Sequence, residues 1–451
     1  MLLALTCAAL AATPVESEAR EILNELLRVD TSHGNETAAL KPMLDRFQKA
    51  GVPAQLIESA PGRGNLVVRM EGSDPTAPSL ALMGHIDVVP VNPAGWERDP
   101  FAGELVGDVV WGRGAVDMLN LTASMAVAVK QLAASGFRPR GTLIFLAVAD
   151  EEALGTHGAW WLLDHERDAV MADYVVTEAG GLRMPLPSTT GPKLVTMVGE
   201  KGSYWCRLRI RGTPGHGSMP YRTDNALVKA AEVVRRIAAY RPQTRIVDAW
   251  RSFVERSDLP AEMAAPLLDP DGVAAFVESA PEPGLARMVH ACTHTTFAPT
   301  IMHAGVKTNV IPDSVELQLD IRTLPGQTAA DVRAMLDEAL GELSSSVEIE
   351  AAMDNEASAS PVDTPLWDSL QRVTATLVPG AKTIPFLLVG ATDARFYRRA
   401  GATAYGAGLF SDRFSFADFA TMFHGDNERI DQESLRLSAA LWEGLARDLV
   451  G

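Results

Sequence analysis

Cysteine is almost missing from this chain of 451 residues: Cys7, Cys206 and Cys292 are the full set. Three scattered thiols build neither a disulfide framework nor a cysteine-based zinc site, so any metal must be held by His, Asp and Glu. Cations are also short, with 40 Lys and Arg against 57 Asp and Glu and a formal charge of −17. That deficit excludes a general nucleic-acid binder, which needs clustered cations on phosphate, and works against adhesion to anionic membrane. Long apolar runs are lacking too: beyond the first dozen residues nothing approaches the roughly 20 residues of a membrane span. What is present, 47% hydrophobic and 22% charged residues, is the composition of a globular protein. The length predicts two or three domains.

The start of the chain, Met1 to Ala12, is small and apolar, and Ala9-Leu10-Ala11 resembles a signal-peptidase site, although a basic start is lacking. Residues 1–13 are read as an export signal, which places the protein in the periplasm or outside the cell. A frayed terminus on a cytoplasmic protein is the alternative.

From Glu16 to Ala50 apolar residues recur at helical spacing; Asn65–Met70 and Ser79–Met83 read as strands, and about Leu119–Leu132 as a helix. Thr142–Val148 is a continuous apolar run of strand length, as expected of a strand buried on both faces. Strands alternating with helices predict an α/β sheet. Near Gly199 the pattern changes. Strand Ser203–Arg211, helix Asn225–Tyr240, strands Thr295–Ala304 and Ser314–Ile321, helix Ala329–Leu343 and strand Ser346–Ala351 give a β-α-β-β-α-β order, the ferredoxin-like split unit. An α/β catalytic domain in two pieces, 14–198 and 356–451, is thus predicted to be interrupted by a smaller α+β domain, 199–355, which carries a helical insertion at 241–293.

Chemistry concentrates at predicted strand ends. His85 and Asp87, in Gly84-His85-Ile86-Asp87, can share one face of a strand, and a metal-bound imidazole commonly donates its other N–H to a carboxylate. Asp150-Glu151-Glu152 follows an apolar strand directly, where three acids repel one another unless a cation or a retained proton intervenes. A solvated helix start, favoured by the helix dipole, is the plain alternative. Asp117 ends Trp111-Gly112-Arg113-Gly114-Ala115-Val116-Asp117 before a helix, where an N-cap is the simpler role. Glu178 follows a strand, and His424 lies in Met422-Phe423-His424-Gly425. Taken together, His85, Asp117, Glu152, Glu178 and His424 fall where α/β sheets bind ligands. Two histidines and three carboxylates, one of them bridging, suit a pair of zinc ions ~3.5–4 Å apart. Other residues read as ordinary: His290 and His294 as surface or packing groups, and Trp160-Trp161 as core. No G-x-S-x-G elbow exists, which excludes that serine-hydrolase arrangement.

These motifs, in this order, resemble the di-zinc metallopeptidase family of carboxypeptidase G, aminoacylase, succinyl-diaminopimelate desuccinylase and acetylornithine deacetylase. Asp87-Val88-Val89-Pro90, Trp96, Pro100-Phe101 and Trp111-Gly112-Arg113-Gly114 are most similar to its carboxypeptidase S and N-acyl-amino-acid hydrolase branch. The resemblance spans nearly the whole chain. It implies a phosphorylase/hydrolase-like di-zinc catalytic domain with an inserted ferredoxin-like lid, or dimerisation, domain. It further implies His85, Asp117 and Glu178 on one zinc, and Asp117, Glu152 and His424 on the other, with Co²⁺ or Mn²⁺ as substitutes. Asp117 bridges, Glu151 is general acid/base and Asp87 orients His85. One departure is Leu119-Asn120, where relatives often carry Lys-Gly. In the lid, Gly212-Thr213-Pro214-Gly215-His216-Gly217-Ser218 matches the motif whose histidine stabilises the oxyanion in a partner subunit, so a homodimer is expected. Asn309, Arg322 and Gly390 match substrate-binding positions, and Ala391 stands where relatives often have Gly. The expected activity is hydrolysis of an amide or peptide bond beside a free carboxylate, of carboxypeptidase or dipeptidase type, on a small molecule or short peptide. An N-acyl-amino-acid amidohydrolase is the alternative, and a metal-free binding protein on the same fold is the alternative outside enzymes.

Overall fold

The computed structural model describes residues 13–280 and 282–451. The proposed export segment lies, apart from Thr13, outside the described residues. Thr13 itself caps the first helix, Pro14–Leu27, reciprocally with Glu16. The long helical pattern of the N-terminal region is two helices, Pro14–Leu27 and Glu36–Lys49. Gly34 and Asn35 break it, both at positive φ (108° and 76°), a conformation that glycine and asparagine adopt most readily.

The chain separates into two compact units, one built from residues up to Met197 with Ser360–Ile384 and Thr392–Gly451, the other from Val198–Ala359 with Pro385–Ala391. In the first unit the strands run, in spatial order, Ala54–Glu58, Gly64–Met70, Leu143–Val148, Leu80–His85, Tyr174–Thr177 and Thr403–Gly406. The last four are parallel to one another, while Gly64–Met70 pairs antiparallel with Leu143–Val148. Every residue of Leu80–His85 and Leu143–Val148 is buried, so both faces of the central strands are covered. Helix Leu119–Ala134 packs on strand Leu80–His85 and against the terminal helix Gln432–Leu449. The parallel arrangement puts the carboxyl ends of four neighbouring strands on one edge of the sheet. That edge is where the candidate ligands lie.

The second unit holds an antiparallel sheet ordered Thr296–Ala304, Ser314–Thr323, Gly202–Arg211, Val347–Asn355. With helices Ala226–Ala239 and Ala329–Leu340 this is the ferredoxin-like order. Alternation along Ser314–Thr323 sends Val315, Leu317, Leu319 and Ile321 into one core with Leu208, Ile210, Val233 and Leu336. The opposite face of the sheet carries Arg207, Glu316, Asp320 and Arg322. Between the first helix and the next strand lie four short helices, Asp248–Arg256, Ala261–Leu267, Pro270–Ser279 and Pro283–Thr293. Among the described residues no helix is long and apolar enough to cross a membrane.

Candidate metal centre

Each candidate ligand of the first unit owes its place to the end of a regular element. His85 closes strand Leu80–His85, and its carbonyl accepts a hydrogen bond from Thr122 Oγ1 at 2.9 Å. Its Nδ1 lies 2.9 Å from the backbone carbonyl of Asp87 and 3.7 Å from the Asp87 carboxylate. That contact leaves Nε2 facing Asp117 Oδ1 at 3.3 Å and Glu178 Oε2 at 3.7 Å. Glu178 follows strand Tyr174–Thr177.

The acidic triplet after Leu143–Val148 is divided by the backbone. Asp150 takes a left-handed conformation (φ 71°), unusual for a residue other than glycine, and starts the short turn Glu151–Ala153. Its carboxylate is bonded to Arg63 (2.6 Å), Thr156 Oγ1 (2.9 Å) and the His157 N–H (3.0 Å). Arg63 also reaches Glu36 at 2.8 Å. Glu151 and Glu152 project instead toward the ligands, and their N–H groups donate to the Asp87 carboxylate at 3.1 and 2.9 Å. Asp87 thus touches both the histidine and the acidic turn.

Asp117 stands between the two histidines. Its Oδ1 faces His85, and its Oδ2 lies 3.3 Å from Nε2 of His424, which is itself 3.1 Å from Glu152 Oε2. His424 is the most exposed of the group, with a side chain 57% accessible, whereas His85 is buried. Ligand atoms of His85, Asp117 and Glu152 lie within 4.8 Å of one another, as do those of His85, Glu151 and Glu178. Either group can hold a cation.

The electrostatics point the same way. Burial, then the charge of Asp117, pushes Glu178 up to about 8. Burial and the neighbouring Glu178 raise Glu151 well above the usual carboxylate range. Burial opposes a charged His85, yet Glu178, Asp117 and Asp87 together hold it well above an ordinary histidine. Hydrogen bonds to Asp117 and Glu152 lift His424 to about 10. The Oε1 atom of Glu152 is buried without a hydrogen-bond partner among the described residues. Buried acids with raised proton affinity, and an orphaned carboxylate oxygen on Glu152, fit a site made for positive charge. A hard to borderline divalent ion suits this oxygen-rich donor set with two imidazoles.

One buried carboxylate beside this centre escaped the sequence reading. Glu428, four residues after His424, is fully buried, and burial raises it to about 7 against hydrogen bonds from the Gly114, Asp117 and Val116 N–H groups. Spacing after the histidine is its only signal in sequence.

The second unit carries the other expected residues. His216, exposed, sits on a short ribbon where Gly215–His216 pairs with Val310–Ile311, and its Nδ1 lies 2.7 Å from Ser218 Oγ. The Gly217 N–H donates to the Asn309 carbonyl at 2.8 Å, so His216 and Asn309 are neighbours. Arg322 is occupied within its own sheet: it pairs with Asp320 at 2.7 and 3.1 Å and donates to Ser203 Oγ at 2.7 Å. At Gly390 an added Cβ would meet only the Leu388 side chain, at 4.0 Å. His290 and His294 stack with centroids 4.3 Å apart, and His294 also meets Thr244 Oγ1 at 2.9 Å, a packing arrangement. Trp160, expected in the core, is 46% exposed, while Trp161 stacks on His165. Adjacent positions on a helix point about 100° apart, so one side of helix Ala159–His165 cannot bury both indoles.

Fold and site together define an α/β protein whose centre of acids and histidines is suited to divalent metal. Residues 81–448 match the family model of peptidase family M20/M25/M40, and the chain belongs to that family. It is 28% identical over 374 residues to N-fatty-acyl-amino acid synthase/hydrolase PM20D1 from Homo sapiens, covering 81% of this chain and 73% of that protein. It is 26% identical over 377 residues to aminoacylase-1 from Sus scrofa, covering 82% and 81%. Among solved structures, the M20 family metallo-carboxypeptidase Sso-CP2 from Sulfolobus solfataricus superposes with a TM-score of 0.73 at 18% identity, over 96% of this chain and 98% of that one. The resemblance drawn from the motifs is therefore correct, and the protein is a peptidase or amidohydrolase of a metal-dependent family.

Proposed function

We propose that this chain hydrolyses an amide or peptide bond next to a free carboxylate, using two zinc ions for which Co²⁺ or Mn²⁺ can substitute. The observation that carries the reading is Asp117, whose two oxygens each face a different histidine at 3.3 Å. His85, Asp117 and Glu178 would hold one ion, and Asp117, Glu152 and His424 the other. When bound, such a pair polarises the scissile carbonyl and lowers the pKa of a water molecule. Glu151 takes the proton of that water and returns it to the departing amine, a role its environment favours by raising its proton affinity.

The remaining assignments concern substrate. Arg322 keeps one N–H on each terminal nitrogen after its bonds to Asp320 and Ser203, enough for a bidentate grip on a carboxylate. Asn309 and Gly390 would line the same subsite. His216, with Nδ1 engaged by Ser218, offers Nε2 to a developing oxyanion, in a second copy of the chain. A homodimer is supported by the edge strand Thr296–Ala304, which leaves Ile301 and Met302 about half exposed beside unpaired backbone.

The same chemistry serves a carboxypeptidase or dipeptidase and an N-acyl-amino-acid amidohydrolase. The second is favoured by the names of the two sequence relatives above, an N-fatty-acyl-amino acid synthase/hydrolase and an aminoacylase. The test is metal analysis of purified protein, followed by rates on dipeptides and on N-acyl amino acids, each with its carboxylate free or amidated. Two equivalents of metal, loss of activity on chelation and rejection of the amidated substrates are expected. Absence of bound metal would favour a binding protein on this fold; indifference to the carboxylate would remove Arg322 from recognition.

A further inference from the structure

We propose that Glu428 is a positioning residue, which fixes the backbone of Gly114–Asp117 so that Asp117 can bridge two cations and ties it to the segment bearing His424. The proposal rests on the two-ion reading of the site. Glu428 is 0% exposed, and both of its oxygens are used twice. Oε1 accepts the N–H groups of Val116 (2.7 Å) and Asp117 (2.8 Å). Oε2 accepts the Gly114 N–H (2.7 Å) and Arg113 Nη1 (3.0 Å). The Glu428 carbonyl in turn accepts the Gly112 N–H at 3.0 Å, and the next residues, Arg429–Asp431, pair with Val109–Trp111. Gly114 allows the loop to wrap the carboxylate: at φ 91°, an added Cβ would lie 2.7 Å from Leu119 and Val88 side chains.

A need for packing alone does not explain this choice. Glu428 adds a buried anion beside a centre already crowded with Asp117, Glu151, Glu152 and Glu178. That anion is a liability in an empty site and would be an asset with cations held by Asp117, since hydrogen-bonded groups behind metal ligands set both their orientation and the local charge. The centre uses the device twice. Asp87 grips the N–H groups of Glu151 and Glu152 just as Glu428 grips those of Val116 and Asp117. Only a carboxylate meets all four donors, because a glutamine would turn its NH₂ toward two of them.

The experiment titrates metal-depleted wild type, Glu428→Gln and Glu428→Asp with Co²⁺, following uptake by calorimetry and the visible absorption of the bound ion. Wild type is expected to take up two equivalents. Glu428→Gln should unfold, metal-free, within a few degrees of wild type yet bind the more weakly held ion about 10–100-fold less tightly. Glu428→Asp, which keeps the charge but shortens the reach, should fall between. Two equivalents bound by Glu428→Gln as tightly as by wild type would overturn the role. So would a metal-free variant that is simply unfolded, unless Arg113→Lys, which disturbs one donor of the four, still weakens the same ion. Wild type taking up fewer than two equivalents would overturn the two-ion reading itself, and this role with it.

Discussion

Two sets of carboxylates, one in each unit of this protein, live under opposite electrostatics. In the first unit, Glu178 and Glu428 are buried and pushed up to about 8 and about 7. In the second, Glu232 and Glu342 lie at the surface and are pulled down to about 2 by hydrogen bonds to Arg235 and Arg236. Ion pairs also line the sheet of that unit, with Arg207 on Glu316, Arg211 on Glu348 and Arg322 on Asp320. Every one of those acids has an arginine beside it. Of the acids around Asp117, Glu152 and Glu178 have histidines beside them, and Glu428 has Arg113. The contrast teaches that the first unit gathers buried acids in a pocket with few cationic side chains beside them, a setting suited to a bound cation.

The sharpest way to break this contrast is to neutralise an acid in the pocket. Glu151→Gln removes the proton carrier while leaving the proposed ligands intact, and kcat should drop by ~10²–10⁴-fold with metal content unchanged. Near-normal turnover in that variant would mean another group moves the proton. The next largest effect comes from a buried cation in the second unit, an exception to its surface pairing. Lys201 is 1% exposed and donates to the carbonyls of Ala291 (2.8 Å) and His294 (2.7 Å) at the end of helix Pro283–Thr293. Lys201→Met should cost about 1–3 kcal/mol in denaturant unfolding, the loss of a donor from buried carbonyls. A variant as stable as wild type would show that those carbonyls are satisfied without it.

The dependence on pH is the most direct comparison. In the metal-free protein, Glu178 and Glu428 bind protons more tightly folded than unfolded, so the first unit should lose stability as pH rises from about 4.5 to 8. His424, raised to about 10, adds the same sign above 6.5. The lowered Asp117 acts only below its ordinary range, outside this window. In the second unit His294 is lowered to about 4 and Lys201 to about 7, chiefly by burial. Both bind protons more tightly unfolded, so that unit should gain stability over the same rise. Hydrogen exchange resolved by segment, corrected for intrinsic rates at pH 5 and 8, should show opposite slopes, and added metal should flatten the first. Parallel slopes would break the comparison.

Much of the centre could be read before folding was considered, because His85, Glu151, Glu152 and Glu178 follow runs whose hydrophobicity marks them as buried parallel strands. A strand end is a local property of sequence, and so is the tight spacing of His85 and Asp87. Glu428 was not legible. Its donors lie more than 300 residues earlier, and nothing near it distinguishes a buried clamp from a surface acid. The triplet at Asp150 shows the same limit: three adjacent acids look equivalent until a left-handed backbone turns the first onto Arg63 and the others toward the ligands. Asp320 and Arg322, two apart on a strand, were bound to share a face, but that each would claim the other was a matter of geometry.

By itself, then, the sequence determined the alternation of strand and helix, the inserted β-α-β-β-α-β unit and the residue types able to bind metal. Periodicity and composition act over a few residues and survive without tertiary contacts. Tertiary structure alone decided that Asp117 stands between His85 and His424, that Glu428 rather than a neighbouring acid is buried behind it, and which acids go unpaired. Those outcomes depend on loops from distant parts of the chain meeting at one sheet edge, where burial and the nearest charges fix what each carboxylate does.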